Sequence, residues 1–431
     1  MQKLKSKVDT MVERIRFFIV NIEENLFRLV GRRNSSEIVT AKAINLYDKL
    51  FGLFVSRRGG LQQTLDQPIK IKFHAMNWFT RFLILFFIVR LCLGIFVRND
   101  YVGLLMANPF SNKDDKKNAI LLFILFLITY IYGIREFTLR LEETGRIKMI
   151  RMFSMLEKQG FNTKALNMNF NRCKQFQKWC HLIFVNNLMN IICLNSMSLF
   201  LIIYLRASQR TSSLFMIHII HMVIEWITVC LLIINVMCST SYIIVMVTFF
   251  IGQLNTLTDS IKNLALNSSL SNSISFKLNY RLIELLNHIG QWNDDWKYLF
   301  QYCILAASFL GNFTCFAGFL HGFQPDATTR TMTVVGIFVH ILIYIGSYLG
   351  SLIHSEAIKI RRCYCKLMST TKNHEMHFRL KSMEILDRLD SHLIGAHLGD
   401  FGIIKQSTCI ILLLENASFI MLLSCNIRSF I

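Results

Sequence analysis

Two groups of side chains in this chain have the spacing of a binding or conduction site. The first lies in HIIHMVIEW, which sets His218, His221 and Glu225 at i, i+3 and i+7 on one helical face, with Trp226 beside them. Two imidazoles and a carboxylate so spaced can ligate zinc or another transition metal when a further group joins them. The same face can instead orient a small molecule in an apolar pocket, or bond to neighbouring helices. The second group lies near the C-terminus. On a helical wheel Thr408, Glu415, Leu422 and Asn426 share one narrow arc, bordered by Ser407, Ser418 and Cys425, in a segment otherwise rich in Ile, Leu, Phe and Met. A carboxylate at the middle of such a helix is costly unless it faces a bundle interior or water. Several copies around an axis would line an aqueous path in which Glu415 favours cations. In a single copy Glu415 would be one buried carboxylate on an interhelical face.

The elements that must position these groups follow from composition. Of the 431 residues 53% are hydrophobic and 17% charged, where a soluble chain carries roughly 25% charged residues. Apolar runs recur at 78–96, 119–134, 182–205, 214–253, 300–321, 332–353 and 403–425. Runs of this length cross the hydrocarbon layer as helices, because only helices and closed barrels satisfy their backbone there. Pro68, Pro109 and Pro325 lie outside every run. The run 214–253 reads as one span that continues out of the membrane, since Ser239, Thr240, Ser241, Gln253 and Asn255 dilute it progressively. Asn312, Thr314 and His321 in the fifth span, and Thr333 and His340 in the sixth, reach the depth of His218 and could line a site with it. Arg81 can snorkel to the interface; Arg90 is deeper, with Glu225 or Glu415 as its potential counter-charge.

Charge sets the expected orientation. The net charge is +20, and 36 of the 47 Lys and Arg fall in 1–77, 135–181, 254–299 and 354–402, against 8 in the segments that alternate with them. Cytoplasmic segments carry the positive excess, which places the N-terminus in the cytosol and the C-terminus outside. The opening 77 residues are mixed and charged, so the first span is expected to act as its own insertion signal. The basic charge therefore points to membrane lipids and away from nucleic acid. Apolar residues at helical spacing in 281–300 (Leu282, Leu285, Leu286, Ile289, Trp292, Trp296) and 378–394 (Leu380, Met383, Ile385, Leu386, Leu389, Leu393) predict cytoplasmic helices. These either pack as an intracellular bundle or lie flat on the anionic leaflet. The twelve cysteines sit mostly in or beside apolar runs, which is not a secreted disulfide framework. Cys363 and Cys365 follow a span in a basic segment, where S-palmitoylation or plain reduced thiols are the alternatives.

Catalytic signatures are missing: the chain has no phosphate-cradling glycine loop, no GxSxG and no HExxH. Neither an enzyme nor a cofactor is expected. No inverted pair of interrupted helices marks a secondary transporter.

The C-terminal third, SEAIKIRRCYCKL and then HLIGAHLGDFGIIKQSTCIILLLENASFIMLLSCNI, resembles the insect chemoreceptor superfamily of gustatory and odorant receptors, as does the layout of the whole chain. Gustatory members close with Thr-Tyr, five apolar residues and Gln-Phe. Here Ser418, Phe419, Ile-Met-Leu-Leu-Ser, Cys425 and Asn426 stand in those places, with every signature position replaced. The resemblance implies an all-α, seven-span transmembrane bundle with a cytoplasmic N-terminus and cytoplasmic helical extensions. It further implies a ligand-gated, non-selective cation channel of the plasma membrane, assembled as a homo- or hetero-tetramer. The last span would line the pore through Thr408, Glu415, Ser418, Leu422 and Cys425, where Ser418 and Cys425 occupy the Thr and Gln positions of the motif. The outer halves of earlier spans would hold a small-molecule ligand, with His218, His221, Glu225, Trp226, Asn312 and His340 as candidates. The expected organisation is a cytoplasmic segment 1–77, a six-span bundle 78–353, a cytoplasmic helical segment 354–402 and a pore-lining segment 403–431. Two alternatives stand beside it. One is a G-protein-coupled receptor of inverted topology, whose usual Asp/Glu-Arg-Tyr is not matched by Tyr204-Leu205-Arg206. The other is a membrane transporter or metal enzyme using His218, His221 and Glu225.

Overall fold

The computed structural model describes residues 37–53, 71–96, 115–143, 156, 160–207, 215–266, 272–319, 327–370, 376–390 and 394–428. These residues form α1 (Glu37–Leu53), α2 (Ile71–Phe96), α3 (Asp115–Glu143), α4 (Phe170–Ala207), α5 (Phe215–Leu266), α6 (Asn272–Phe319), α7 (Ala327–Thr370), α8 (Met376–Asp390) and α9 (Gln406–Arg428). Among the described residues the only β pairing is one antiparallel bridge, His397 to Ile403. Each of the seven apolar runs falls on one helix, α2 to α7 and α9. Among the described residues five segments are long and apolar enough to cross a membrane: Ala75–Phe96, Phe170–Phe200, Met216–Ala265, Phe276–Phe316 and Thr333–Ser369. Gln406–Leu422 is a shorter apolar one. The last helix starts three residues later than the apolar run beginning at 403, because 394–405 folds as a separate turn structure.

The long run after residue 214 is one uninterrupted helix of 52 residues. Its polar residues do not break it because they bond back onto it. Ser239 donates to Asn235 O (3.2 Å), Thr240 to Val236 O (2.8 Å) and Ser241 to Met237 O (2.6 Å). Such i−4 bonds satisfy a hydroxyl inside an apolar segment without any partner helix.

With 52, 48 and 44 residues, α5, α6 and α7 run to roughly 65–80 Å, against a hydrocarbon layer of about 30 Å. The surplus gathers into a second bundle at the end that carries the basic segments. There Leu282, Leu285, Leu286, Ile289, Trp292 and Trp296 are all buried, as their spacing requires. Helix α8 seats on α6 and α7 through Ile385 and Leu389, while Leu380 and Met383 stay exposed. So α8 is a packed member of the bundle that uses a narrower face than its sequence pattern suggests; Leu393 lies outside the described residues. The buried Tyr364 hydroxyl donates to Asn279 Oδ1 (2.5 Å) and shares a second hydrogen bond with Ser382 Oγ (3.0 Å), tying α7 to α6 and α8. Helix α1 docks on α4 and α5 through Tyr47, which donates to Met237 O (3.1 Å), contacts Ser241 Oγ and sets its ring edge-on to Phe184.

Two ionic ties attach the α2–α3 pair. Arg81 and Arg135 share the Glu136 carboxylate (2.5 Å each), and Arg135 also donates to Asn77 Oδ1 (2.6 Å). Arg90 pairs with Glu225 of α5 at 2.6 Å, both nearly buried, beside a small apolar cluster that includes Phe87, Leu91, Ile128 and Leu232. Of the two counter-charges open to Arg90, the fold selects Glu225.

Removing one member of that pair strands the other in an apolar setting. Arg90→Met and Glu225→Met are each expected to destabilise the protein by about 3–5 kcal/mol, and the double variant by less than either. Thermal unfolding of the four proteins measures this; an additive double variant would show the pair to be uncoupled. Tyr364→Phe, which leaves a buried amide oxygen without its donor, should cost about 1–3 kcal/mol in the same assay.

Candidate pore helix and ligand-facing clusters

The start of α9 is fixed by a tight hairpin. Leu398 N donates to Gly402 O (2.9 Å) and Ile404 N to Ala396 O (2.8 Å). The Asn293 side chain of α6 donates to Gly395 O (2.6 Å) and accepts from His397 N (3.2 Å), so one amide stands in for a neighbouring strand. His354 Nδ1 of α7 lies 3.0 Å from Ile394 O. Gly399 adopts φ +55°, a left-handed conformation that favours glycine, and a Cβ there would also have to displace the end of the Gln301 side chain. Lys405 N then donates to Thr408 Oγ1 (3.1 Å), a capping contact that closes the first turn of α9. The Thr408 hydroxyl is thereby engaged with its own helix.

From this anchor α9 lies against α6 and α7 only along a seam made by Cys409, Leu412, Asn416 and Ile420. Two polar contacts cross helices along it: Asn312 Nδ2 of α6 donates to Asn416 Oδ1 (2.8 Å), and the Cys409 thiol meets the Ser351 hydroxyl of α7. Asn416 was not singled out by the stripe that marks Glu415; its signal is that it is the lone amide on an otherwise apolar seam. Thr408 is half-buried, and the other described side chains of the helix are uncovered. Glu415, Ser418, Leu422 and Cys425 are exposed, together with Ile410, Leu414 and Met421. The Glu415 stripe sits about a quarter turn from the seam. Position 426 belongs to α9, but its side chain lies outside those described.

The face read from HIIHMVIEW is built into the bundle. His218 is buried, and the His221 ring stacks on Phe86 of α2 with centroids 6.1 Å apart. Glu225 is committed to Arg90, and Trp226 Nε1 donates to Asn195 O of α4 (3.3 Å). Among the described residues no three or more His, Cys, Asp or Glu side chains are arranged to hold a metal ion. This corrects the metal-site alternative. Residues 218 and 225 are about 10 Å apart along the helix axis, and the carboxylate of Glu225 is taken by a guanidinium.

Asn312 and His340 belong elsewhere. Both sit on the α6–α7 contact that receives α9, with the His340 ring against Gly311, where a Cβ would come within 2.9 Å of Nε2. The six candidate ligand residues thus separate into two groups: one packed between α2, α4 and α5, the other behind α9. His321 lies outside the described residues. A cavity of 190 Å³ opens between α7 and α9 next to the second group. A larger groove of 760 Å³ lies between α5 and α6 at the basic end, lined among others by Met246, Phe250, Gln253, Arg281 and Trp292. All twelve cysteines are free thiols, with Cys363 half-buried and Cys365 exposed on the extension of α7.

No protein-family model matches the chain, and no curated protein sequence does. Solved structures do. The insect olfactory receptor OR5 from Machilis hrabei, in complex with eugenol, superposes with a TM-score of 0.61 at 13% identity, covering 89% of this chain and 97% of that one. A second structure of the same receptor gives 0.63 at 11% identity, covering 89% of this chain and 96% of that one. The resemblance carried by the C-terminal third therefore holds for the architecture of nearly the whole chain, which has the fold of an insect olfactory receptor.

Proposed function

We propose that this protein is a chemosensory receptor of gustatory-like type that works as a ligand-gated, non-selective cation channel in the plasma membrane. The observation that carries this reading is the placement of Glu415. It lies at the middle of an apolar helix that touches its own fold along one seam and leaves the carboxylate uncovered. A carboxylate facing acyl chains is costly. The cost disappears if copies of α9 meet around an axis and enclose water, and a ring of carboxylates then favours cations. A tetramer in which Glu415, Ser418, Leu422 and Cys425 face the path meets this requirement, and it gives the exposed Ile410, Leu414 and Met421 neighbouring copies or lipid to cover them.

The ligand in this reading is a small organic molecule, in keeping with the eugenol complex of the structural neighbour. In this reading the outer halves of α2, α4 and α5 hold it, with His218 and His221 beside it and Glu225 and Trp226, already bonded to Arg90 and Asn195, shaping the wall. Binding opens the path to the extent that the ligand prefers the open state. Seven spans, a cytosolic N-terminus and an outer C-terminus follow from the charge asymmetry and put the packed bundle of α6, α7 and α8 in the cytosol.

Glu415→Gln is expected to lower single-channel cation conductance by about twofold or more, or to shift permeability ratios, at unchanged surface expression. Identical conductance and ratios would remove Glu415 from the path. Epitope tags at the two termini should show the N-terminal tag hidden in intact cells and the C-terminal tag accessible. The reverse pattern would favour the G-protein-coupled alternative.

A further inference from the structure

The 190 Å³ cavity behind α9 is walled on one side by α7 and on the other by the last helix. Its surface is mostly aliphatic, from Ile343, Leu412, Leu413, Ala417 and Ile420. Polar groups are fewer: His340, Tyr344 and Ser347 on the α7 wall, and facing them Cys409 and the Asn416 amide that Asn312 holds. The Ser347 side chain is 1% exposed, and its hydroxyl has no hydrogen-bond partner within the fold. Ser351, one turn further along α7, bonds back to Tyr348 O (2.7 Å), and Ser369 to Lys366 O (2.8 Å). The Ser347 hydroxyl makes no such bond, and it lines the cavity.

A buried hydroxyl without a partner costs about 1–3 kcal/mol, so an occupant that supplies one is favoured. Water answers poorly. The cavity has room for several waters, each seeking about three hydrogen bonds, and the wall offers only a handful of polar atoms among its aliphatic side chains. An apolar body with one polar end matches the wall better, since a cavity of about 150 Å³ already takes benzene. We propose that the space between α7 and α9 is a binding site for a compact neutral molecule with one hydroxyl group, such as a short-chain alcohol, with Ser347 and Asn416 as its hydrogen-bond partners. The site is separate from the His218–Trp226 face and stands directly behind Glu415's helix. Its occupant would wedge α9 against α7 and so bias the position of that helix; this consequence, unlike the binding itself, rests on the channel reading.

The test reads binding alone. Purified protein in phosphatidylcholine nanodiscs is photolabelled with 3-azibutanol, a diazirine-bearing alcohol, and adducts are mapped by mass spectrometry. Saturable adducts are expected on 340–347 and 409–420, with competition by unlabelled butanol. Ala417→Phe, which fills the cavity, should reduce them at least fivefold, and Ser347→Ala should raise the half-saturating concentration roughly fivefold. Should Ala417→Phe fail to fold, Leu413→Trp fills the same space from its rim. Adducts spread over the lipid-facing helices, or adducts on these peptides that neither filling variant changes, would overturn the proposal. In the first case the alcohol is merely partitioning into lipid; in the second a bilayer acyl chain or a second copy occupies the space. Labelling does not depend on conduction, so loss of the channel reading would leave a positive result standing.

Discussion

Inside hydrocarbon every backbone N–H and C=O must find its partner within the protein, and the architecture descends from that requirement. It makes continuous helices the only economical crossing, and it explains why the hydroxyls of Ser239, Thr240 and Ser241 turn back onto their own helix. Once a helix is continuous, nothing at the membrane boundary obliges it to stop. Helices α5, α6 and α7 therefore overrun the bilayer and carry the chain into water. There a different force takes over. Apolar faces gain little by meeting one another in lipid, but in water their burial is the main source of cohesion. That is why the six-residue apolar face from Leu282 to Trp296 is completely buried in the extension, while Ile410, Leu414 and Met421 of α9 remain uncovered in the apolar zone.

This division assigns different tasks to the two ends of the same helices. The extended bundle, tied by Tyr364, Asn279 and Ser382, is rigid enough to hold a position. From it the hairpin at 394–405 is clamped by Asn293 and His354, and that hairpin fixes where α9 begins. Beyond the hairpin, the described side chains of α9 meet the fold along one mostly apolar seam, with Asn312 bonded to Asn416 and Ser351 to Cys409. A helix anchored firmly at its base and lightly along its length can shift without unfolding anything else. The cavity behind it, with the Ser347 hydroxyl on its wall, lies where such a shift would be felt.

The composition, the seven apolar runs and the basic bias of alternate segments determine that this chain makes long helices suited to a membrane, and roughly where each lies. Periodicity alone finds the buried face of α6, because a stripe at helical spacing in a water-exposed segment has one way to be satisfied. It over-reads α8, where Leu380 and Met383 share the stripe but not the contact. Pairings between helices far apart in sequence carry no local signature. Arg90 has two acidic candidates in the sequence, and only packing selects Glu225. The spacing of His218, His221 and Glu225 is compatible with metal ligation, but packing against α2 sets His221 on Phe86 and Glu225 on Arg90. Asn312 and His340 look from sequence like further members of the same site; tertiary structure moves them behind α9. What the sequence by itself determined is therefore the set of helices, since backbone satisfaction and hydropathy act residue by residue along the chain. Which polar groups meet was decided only by the tertiary structure, because a buried hydrogen bond or ion pair depends on the relative rotation and depth of two helices that the local sequence does not encode.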